Sequence, residues 1–436
     1  MRRPLRKVVW SLALAAFAIA PMGANGAPRA LPPLSHHGRW LTDPSGRVVI
    51  IHGLQLDKFM PGTAVEGWPD VSADNVRFIA AQGFNAVRNS IAYAGFEPQI
   101  GHFDYSYVDR YLAFDRTLAA SGVYDLIDMM QGEYSPVVAG DGFPDWMTNT
   151  SGLPNTRDPF PRGYIDNPAE DAAWDNFWAN KPAGDGVGFQ DHYARGLHKL
   201  AAAFASMPGL LGMEILNEPW AGTRWPTCAS PLGCPPGGFD QTSLTSFYRK
   251  MIPAIRSADR THLILYEPNL LFDFGAPTKL GGLQDPNLLF AFHNYCLGAM
   301  PGFPPAPDPL GLCGIDENMT FGNADARAAA TGDALLMDEF GNTTDTALLA
   351  RMANEADQHM TGWTYWAYED CCGSSGAIVK DATKPPTAPG NLNLVVLQAL
   401  ARPYPQAVAG TPTSWSFDPT TKRFTLTYST ARAGGG

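Results

Sequence analysis

Positive charge is scarce in this chain. Only 31 Lys and Arg offset 42 Asp and Glu, for a net charge of −11, and no basic stripe breaks the acidic balance, which excludes a nucleic-acid partner. Several signature turns are missing too. There is no Walker A run, no glycine-rich dinucleotide turn and no CxxC redox pair, which argues against phosphoryl transfer and redox chemistry. No pair of cysteines has the CxxC-and-His spacing of a zinc site, so no metal and no other cofactor is expected. The apolar run Val8–Ala20, at 13 residues, is short for a membrane span of about 20.

What is present begins with that run. Met1–Lys7 is basic, Val8–Ala20 is apolar, and small residues at Ala24 and Gly26 fit a cleavage site, so residues 1–26 read as a signal peptide cut after Gly26. A secreted protein is the expectation. The six cysteines then fall in the exported part, where an even count favours disulfides. Cys228 with Cys234, and Cys296 with Cys313, would each close a local loop. The adjacent Cys371 and Cys372 form either a vicinal bridge or two separate bonds. Aromatics make up 11% of the chain, with 11 Trp. They suit a sugar-stacking cleft and a well-filled core equally.

Short β-branched or aromatic runs alternate with helical patterns. The strand expectations are 48–54, 86–91, 123–129, 212–216, 263–266, 289–293, 334–338 and 362–366. Helical periodicity falls between them at 72–82, 107–121, 189–206, 243–257, 324–331 and 346–359. Eight strands with intervening helices predict a (β/α)8 TIM barrel over 27–401. A doubly wound sheet is the alternative, but His52-Gly53-Leu54-Gln55 is not its phosphate turn. Two long insertions, 132–188 and 297–323, follow strands and so belong at the C-terminal face, where barrel active sites are built. Residues 402–436 alternate as two strands, an incomplete C-terminal β segment too small to stand alone.

Two acids sit where a strand hands over to a loop. Met213–Pro219 ends the fourth strand with Asn217-Glu218-Pro219, and Leu336–Gly341 ends the seventh with Glu339-Phe340-Gly341. Retaining glycoside cleavage needs two such carboxyls, one to donate a proton and one to attack the anomeric carbon. These motifs resemble glycoside hydrolase family 5, in the clan of (β/α)8 retaining glycosidases. Within it the chain is similar to the endoglycoceramidase group. The supporting stretches are His52–Lys58, Asp175–Trp178, Leu216–Trp220 and the Pro-Tyr-Pro-x-Ala-Val-x-Gly-Thr-Pro run from Pro403 to Pro412. The dyad motifs recur in many glycosidases, whereas that last run is far more specific.

The resemblance implies Glu218 as acid/base and Glu339 as nucleophile. It implies that Asn217 meets the sugar 2-hydroxyl, that Arg88 keeps the nucleophile ionised, and that Tyr295 hydrogen-bonds Glu339. His293 would sit beside Glu218 or the sugar, Trp366 would floor the first sugar site, and Lys58 would contact the polar part of a ceramide. Asp338, one residue from Glu339 on a strand, is expected to point the other way. One departure stands out: Met130 replaces the histidine that family members carry after strand three, so one sugar or dyad contact is either missing or supplied elsewhere, with His102, His192 and Glu133 as the candidates. The reaction expected is hydrolysis of the β-glycosidic bond between glycan and ceramide. The alternatives are a β-glucanase or β-glucosidase, and, in another class, a glycan- or lipid-binding protein with impaired catalysis. The expected partner is the glycan or glycolipid itself, whose two alkyl chains would lie in an apolar groove hinted at by Phe59, Met60, Trp68, Leu297, Met300, Phe303 and Leu310, with room for a transient membrane-surface contact.

Overall fold

A computed structural model of the chain describes residues 6–11, 31–56, 71–158, 160–296, 312–369 and 376–433. Eight parallel strands close into a barrel. They are β1 (His52–Leu56), β2 (Ala86–Ala92), β3 (Tyr124–Met130), β4 (Leu210–Glu214), β5 (Leu263–Tyr266), β6 (Leu288–His293), β7 (Ala334–Glu339) and β8 (Gly362–Tyr365). The ring shuts where β8 pairs with β1, Trp363 opposite His52. Closure rules out the doubly wound alternative.

Strands covered on both faces read as continuous apolar runs rather than alternating ones. Every residue of β2 and β6 is buried. Leu126, Leu211, Leu265, Leu289 and Leu336 pack together with Leu41, Val49 and Ile51. Those last three come from the lower, N-terminal end, where Ser35–His37, Trp40–Thr42, Val48–Val49 and Ala407–Val408 form a small sheet. The run expected as one strand over 48–54 is therefore two. Val48–Val49 belongs to the small sheet and His52 opens β1, because Val48–Ile51 is uninterrupted apolar sequence with no turn residue to mark the change.

The helices start where side chains satisfy their free N–H groups. Ser72, Asp104, Asn167 and Asp345 each cap one. The helix expected over 324–331 is the last part of a longer one, Leu312–Thr331, whose first half is masked in sequence by Gly314, Asn318 and Gly322, weak helix formers. The first insertion is ordered around its tryptophans. Trp174 and Trp178 are buried within the helix Pro168–Trp178, and the Trp178 indole donates to the Trp220 carbonyl at 2.8 Å.

The C-terminal strands β9 (Thr411–Asp418) and β10 (Arg423–Ser429) pair as a hairpin. Buried Trp415 pins it to the barrel, its indole donating to Asp357 Oδ1 at 2.8 Å, and Arg402 pairs with the same Asp357 at 2.7 Å. The backbone of residues 6–11 pairs antiparallel with β10. Disulfides join Cys228 to Cys234 and Cys296 to Cys313, as expected. Cys371 and Cys372 lie outside the described residues. No helix among the described residues is long and apolar enough to cross a membrane.

Candidate active site

The C-terminal ends of the strands converge on one cation. Arg88, in the middle of β2, is fully buried and reaches five carboxylates: Glu214 at 2.9 Å, Glu339 at 2.9 Å, Asp128 at 3.2 Å, Glu267 at 3.4 Å and Asp338 at 3.5 Å. Buried charges persist only when paired and hydrogen-bonded, and this guanidinium is the hub that permits so many acids here. Its Nη2 also donates to Asn217 Oδ1 at 2.7 Å. The Asn217 Nδ2 donates to the Gln131 carbonyl at 2.9 Å. With its oxygen turned to Arg88 and one N–H spent, the amide has a single N–H left to offer a ligand.

A second positive group sits between the two acids of interest. His293, the last residue of β6, has Nδ1 2.8 Å from Glu218 Oε1 and 3.6 Å from Glu339 Oε1. The separation of those two oxygens is bounded by the sum of these distances. That sum falls short of the roughly 6.5 Å at which inverting pairs begin. Tyr295 donates to Glu339 Oε1 at 2.7 Å. Glu218 adopts a left-handed backbone, φ +43°, just beyond β4, and its N–H donates to Glu267 Oε2 at 2.9 Å. Both acids are buried but not sealed, at 8% exposure for Glu218 and 6% for Glu339.

Proton affinities follow from crowding. Burial pushes Glu339 above the usual carboxylate range, and His293 and Arg88 pull it back without reversing the direction. The contact expected between Arg88 and Glu339 is present, and the guanidinium acts on this carboxyl in the expected direction, favouring its charged form against burial. Burial alone would also raise Glu214, yet Arg88 and its other hydrogen bonds hold it down at about 2. Burial disfavours charge on His293, but Glu267, Glu339 and the bond with Glu218 win and raise it well above its ordinary value. Two triads have metal-ligating atoms within 4.8 Å of one another, Glu218–Asp273–His293 and Glu267–His293–Asp338. Both draw on the same imidazole, which the hydrogen bond with Glu218 already engages, so the cluster forms one network of acids joined through His293.

Asp338 requires a correction. Phe292 pairs with Met337, but His293 pairs with Glu339, so β7 bulges at Asp338. The extra residue breaks the two-residue alternation. Asp338 and Glu339 consequently face the same interior, and Asp338 lies 3.8 Å from His293 and 3.5 Å from Arg88.

Trp366 follows β8 and is only partly buried, its N–H donating to the Phe340 carbonyl at 2.9 Å. Lys58 lies outside the described residues, as do Phe59, Met60, Trp68, Leu297, Met300, Phe303 and Leu310. Met130 is half-buried at the end of β3. The three residues weighed as substitutes for the family histidine are engaged elsewhere. His192 binds Asp185 at 3.1 Å and abuts Trp146, His102 lies in the exposed 99–102 turn, and Glu133 accepts from Gly163 N–H at 2.8 Å.

Sequence reasoning missed Glu267, Asp273 and Gln131. Glu267 was legible in principle, since Glu267-Pro268 follows β5 as Glu218-Pro219 follows β4. The Gln131 amide donates to the carbonyls of Asn217 and Glu218 at 2.9 and 3.1 Å, a contact that no local pattern announces.

Outside the dyad lies an apolar cleft of about 590 Å³. Glu218 stands in its wall together with Tyr164, Trp220, Leu270, Phe274 and Met319.

A closed parallel barrel with two acids at the mouth, ending β7 and following β4, bridged by one imidazole, defines a barrel glycosidase, an enzyme that hydrolyses O-glycosyl bonds. The family model described as cellulase (glycosyl hydrolase family 5) matches residues 53–371, and that of the family 5 C-terminal domain matches residues 402–436. The chain belongs to glycosyl hydrolase family 5. It is 32% identical over 399 residues to endoglycoceramidase I of Rhodococcus hoagii (strain 103S), covering 88% of this chain and 75% of the relative. It is 28% identical over 415 residues to the endoglycoceramidase of Hydra vulgaris, covering 89% and 76%. The solved structure of endo-glycoceramidase II from Rhodococcus sp. shares the fold, with a TM-score of 0.71 at 24% identity, covering 91% of this chain and 97% of that one.

Proposed function

We propose that the protein is a secreted retaining hydrolase that cleaves the bond between the glycan and the ceramide of glycosphingolipids. One observation carries the substrate class: the cleft that Glu218 opens into is almost wholly apolar. An acid that protonates the leaving oxygen must face the leaving group, so the leaving group lies in this cleft. A glucan would offer hydroxyls there and leave the apolar wall unmatched. The relatives named as endoglycoceramidases, and the Rhodococcus enzyme solved as a complex with ganglioside GM3, support the same reading.

In this mechanism Glu339 attacks the anomeric carbon while Glu218 protonates the departing oxygen. Glu218, then ionised, takes a proton from water, which releases the sugar from Glu339. The close spacing across His293 supports retention. Tyr295 and Arg88 hold Glu339 on both oxygens, Asn217 presents its free N–H to the sugar, and Trp366 offers a ring face beneath it. The direct test is product analysis on a panel of glycosphingolipids beside cellulose and laminarin oligomers. Release of intact oligosaccharide is expected. Release of monosaccharide, or turnover of glucans alone, would reject the glycolipid assignment.

The proposal includes a transient membrane contact. Among the described residues, nine large apolar side chains stand exposed, and five of them, Phe160, Ile165, Leu232, Ile315 and Met319, line this cleft or adjoin its lining. Leu232 is 76% exposed inside the loop that the Cys228–Cys234 bond closes. Leu232→Asp is expected to weaken the affinity for phosphatidylcholine vesicles, read by co-sedimentation, about ten- to a hundredfold, by the roughly 1.5–3 kcal/mol that burying one leucine contributes. Unchanged sedimentation would remove the contact. Export rests on the leader, and recovery of chain beginning at Ala27 from the medium checks it. Intracellular retention of the uncut chain would contradict it.

A further inference from the structure

The apolar wall of the cleft is tied to the acid through buried carboxyls that the reaction does not use. Phe160, Pro161, Tyr164 and Ile165 form one side of the cleft, and the short helix Gly163–Asp166 carries the last two. Beneath it lies Glu133, buried and in a left-handed backbone at φ +53°. Its carboxyl accepts from the Gly163 N–H at 2.8 Å, and its own N–H donates to the Tyr164 hydroxyl at 2.9 Å. Two residues earlier, Gln131 donates to the carbonyls of Asn217 and Glu218. One short loop therefore grips the cleft wall with one residue and the seat of Glu218 with another.

A second acid shares the grip. Glu170, fully buried on the helix Pro168–Trp178, converges with Glu133 on the same point. A Cβ added at Gly163 would lie 2.6 Å from Glu170 Oε2 and 2.7 Å from Glu133 Oε1. The other charged groups facing the pair are Asp158, beside Glu133, and Asp171, beside Glu170. All are acidic.

We propose that Glu133 is a positioning residue that works with Glu170 as a carboxyl latch, holding the apolar cleft wall against the loop that seats Glu218. The inference rests on the reading of that cleft as the leaving-group site. Burial raises Glu133 to about 7 and Glu170 to about 9. Acids with raised affinity favour the folded arrangement while protonated and lose that contribution as pH climbs through their folded values. The latch is thus closed near pH 6, holds one proton between pH 7 and 9, and above that range sets two like charges side by side with no cation facing them among the described residues.

The test uses the full chain with dodecyl and ethyl β-lactoside, whose common sugar and equally basic leaving groups cancel effects on the glycone side and on acid assistance. The ratio of kcat/KM for the dodecyl over the ethyl substrate reads the wall. In the unsubstituted protein this ratio is expected to fall about tenfold between pH 6 and pH 9.5, the scale of loss a small misplacement produces. Glu133→Gln keeps an acceptor for Gly163 and cannot ionise, so its ratio should stay level across that range. Glu133→Ala should lower the ratio about tenfold already at pH 6. A ratio in the unsubstituted protein that ignores pH, or one that falls equally in Glu133→Gln, overturns the latch. So does an equal loss on both substrates in Glu133→Ala, which would mark a merely structural role. Should that variant not fold, the glutamine comparison decides alone. Failure to cleave any ceramide glycoside, with dodecyl lactoside still preferred, would reject the glycolipid assignment and leave the latch standing.

Discussion

Glutamine at position 339 is expected to lower kcat/KM by about 10⁴-fold or more, the scale seen when a group that forms a covalent intermediate is removed. The fold should survive. The amide oxygen can accept from Arg88 in place of Glu339 Oε2, and the amide N–H can donate to the Tyr295 hydroxyl, so both contacts keep a partner. What disappears is the nucleophile. Adding azide to the smaller variants then separates the roles of the two acids. In Glu339→Gly an external anion attacks from the emptied face and yields an α-glycosyl azide. In Glu218→Ala the nucleophile still acts first, and azide displaces it to give the β-product. Activity above about 1% in Glu339→Gln, or azide products with the opposite assignments, would contradict the account.

The second large effect falls on stability. Arg88→Met fills similar space but removes the one guanidinium shared by five buried carboxylates. Removing one partner of a buried ion pair costs about 3–5 kcal/mol, so a fall in Tm of several degrees is expected. The deficit has a pH signature. Glu214 is held down to about 2 in the fold against an ordinary value of 4.5, chiefly by Arg88 working against burial. A depressed acid contributes stability above its unfolded pKa and loses it as pH falls toward the folded value. The gap between the two proteins should therefore be full at neutral pH and narrow between about pH 4.5 and 2. Thermal melts across that range check it. A gap that is constant with pH would place the loss in packing rather than in charge.

The barrel was legible because parallel strands buried on both faces leave apolar runs that turns and helices punctuate. Boundaries failed where punctuation was missing, as at Val48–His52, where two strands follow without a turn residue. The dyad was legible because chemistry confines it to strand ends, and Asn217 before Glu218 added a second mark. The proton network around it was not. Asp338 obeys alternation in the sequence and escapes it in the structure, because the bulge opposite His293 adds a residue to β7. Gln131 acts through a contact with carbonyls distant in the chain, and Asp273 reaches His293 from the short helix Leu270–Phe274. None of the three substitutes weighed for the histidine that Met130 replaces by resemblance has a contact with either acid among those described, and Glu133 serves the cleft wall instead.

Retaining cleavage requires one carboxyl to bond to the sugar. A 2,4-dinitrophenyl 2-deoxy-2-fluoro-β-lactoside should inactivate the enzyme stoichiometrically, because the fluorine slows both steps while the dinitrophenolate leaving group keeps formation of the intermediate faster than its release. Digestion and mass spectrometry should then find the glycosyl group on the peptide containing Glu339, attached to that residue. Label on Glu218 or Asp338, or hydrolysis that gives the α-anomer first with no label trapped, would contradict it.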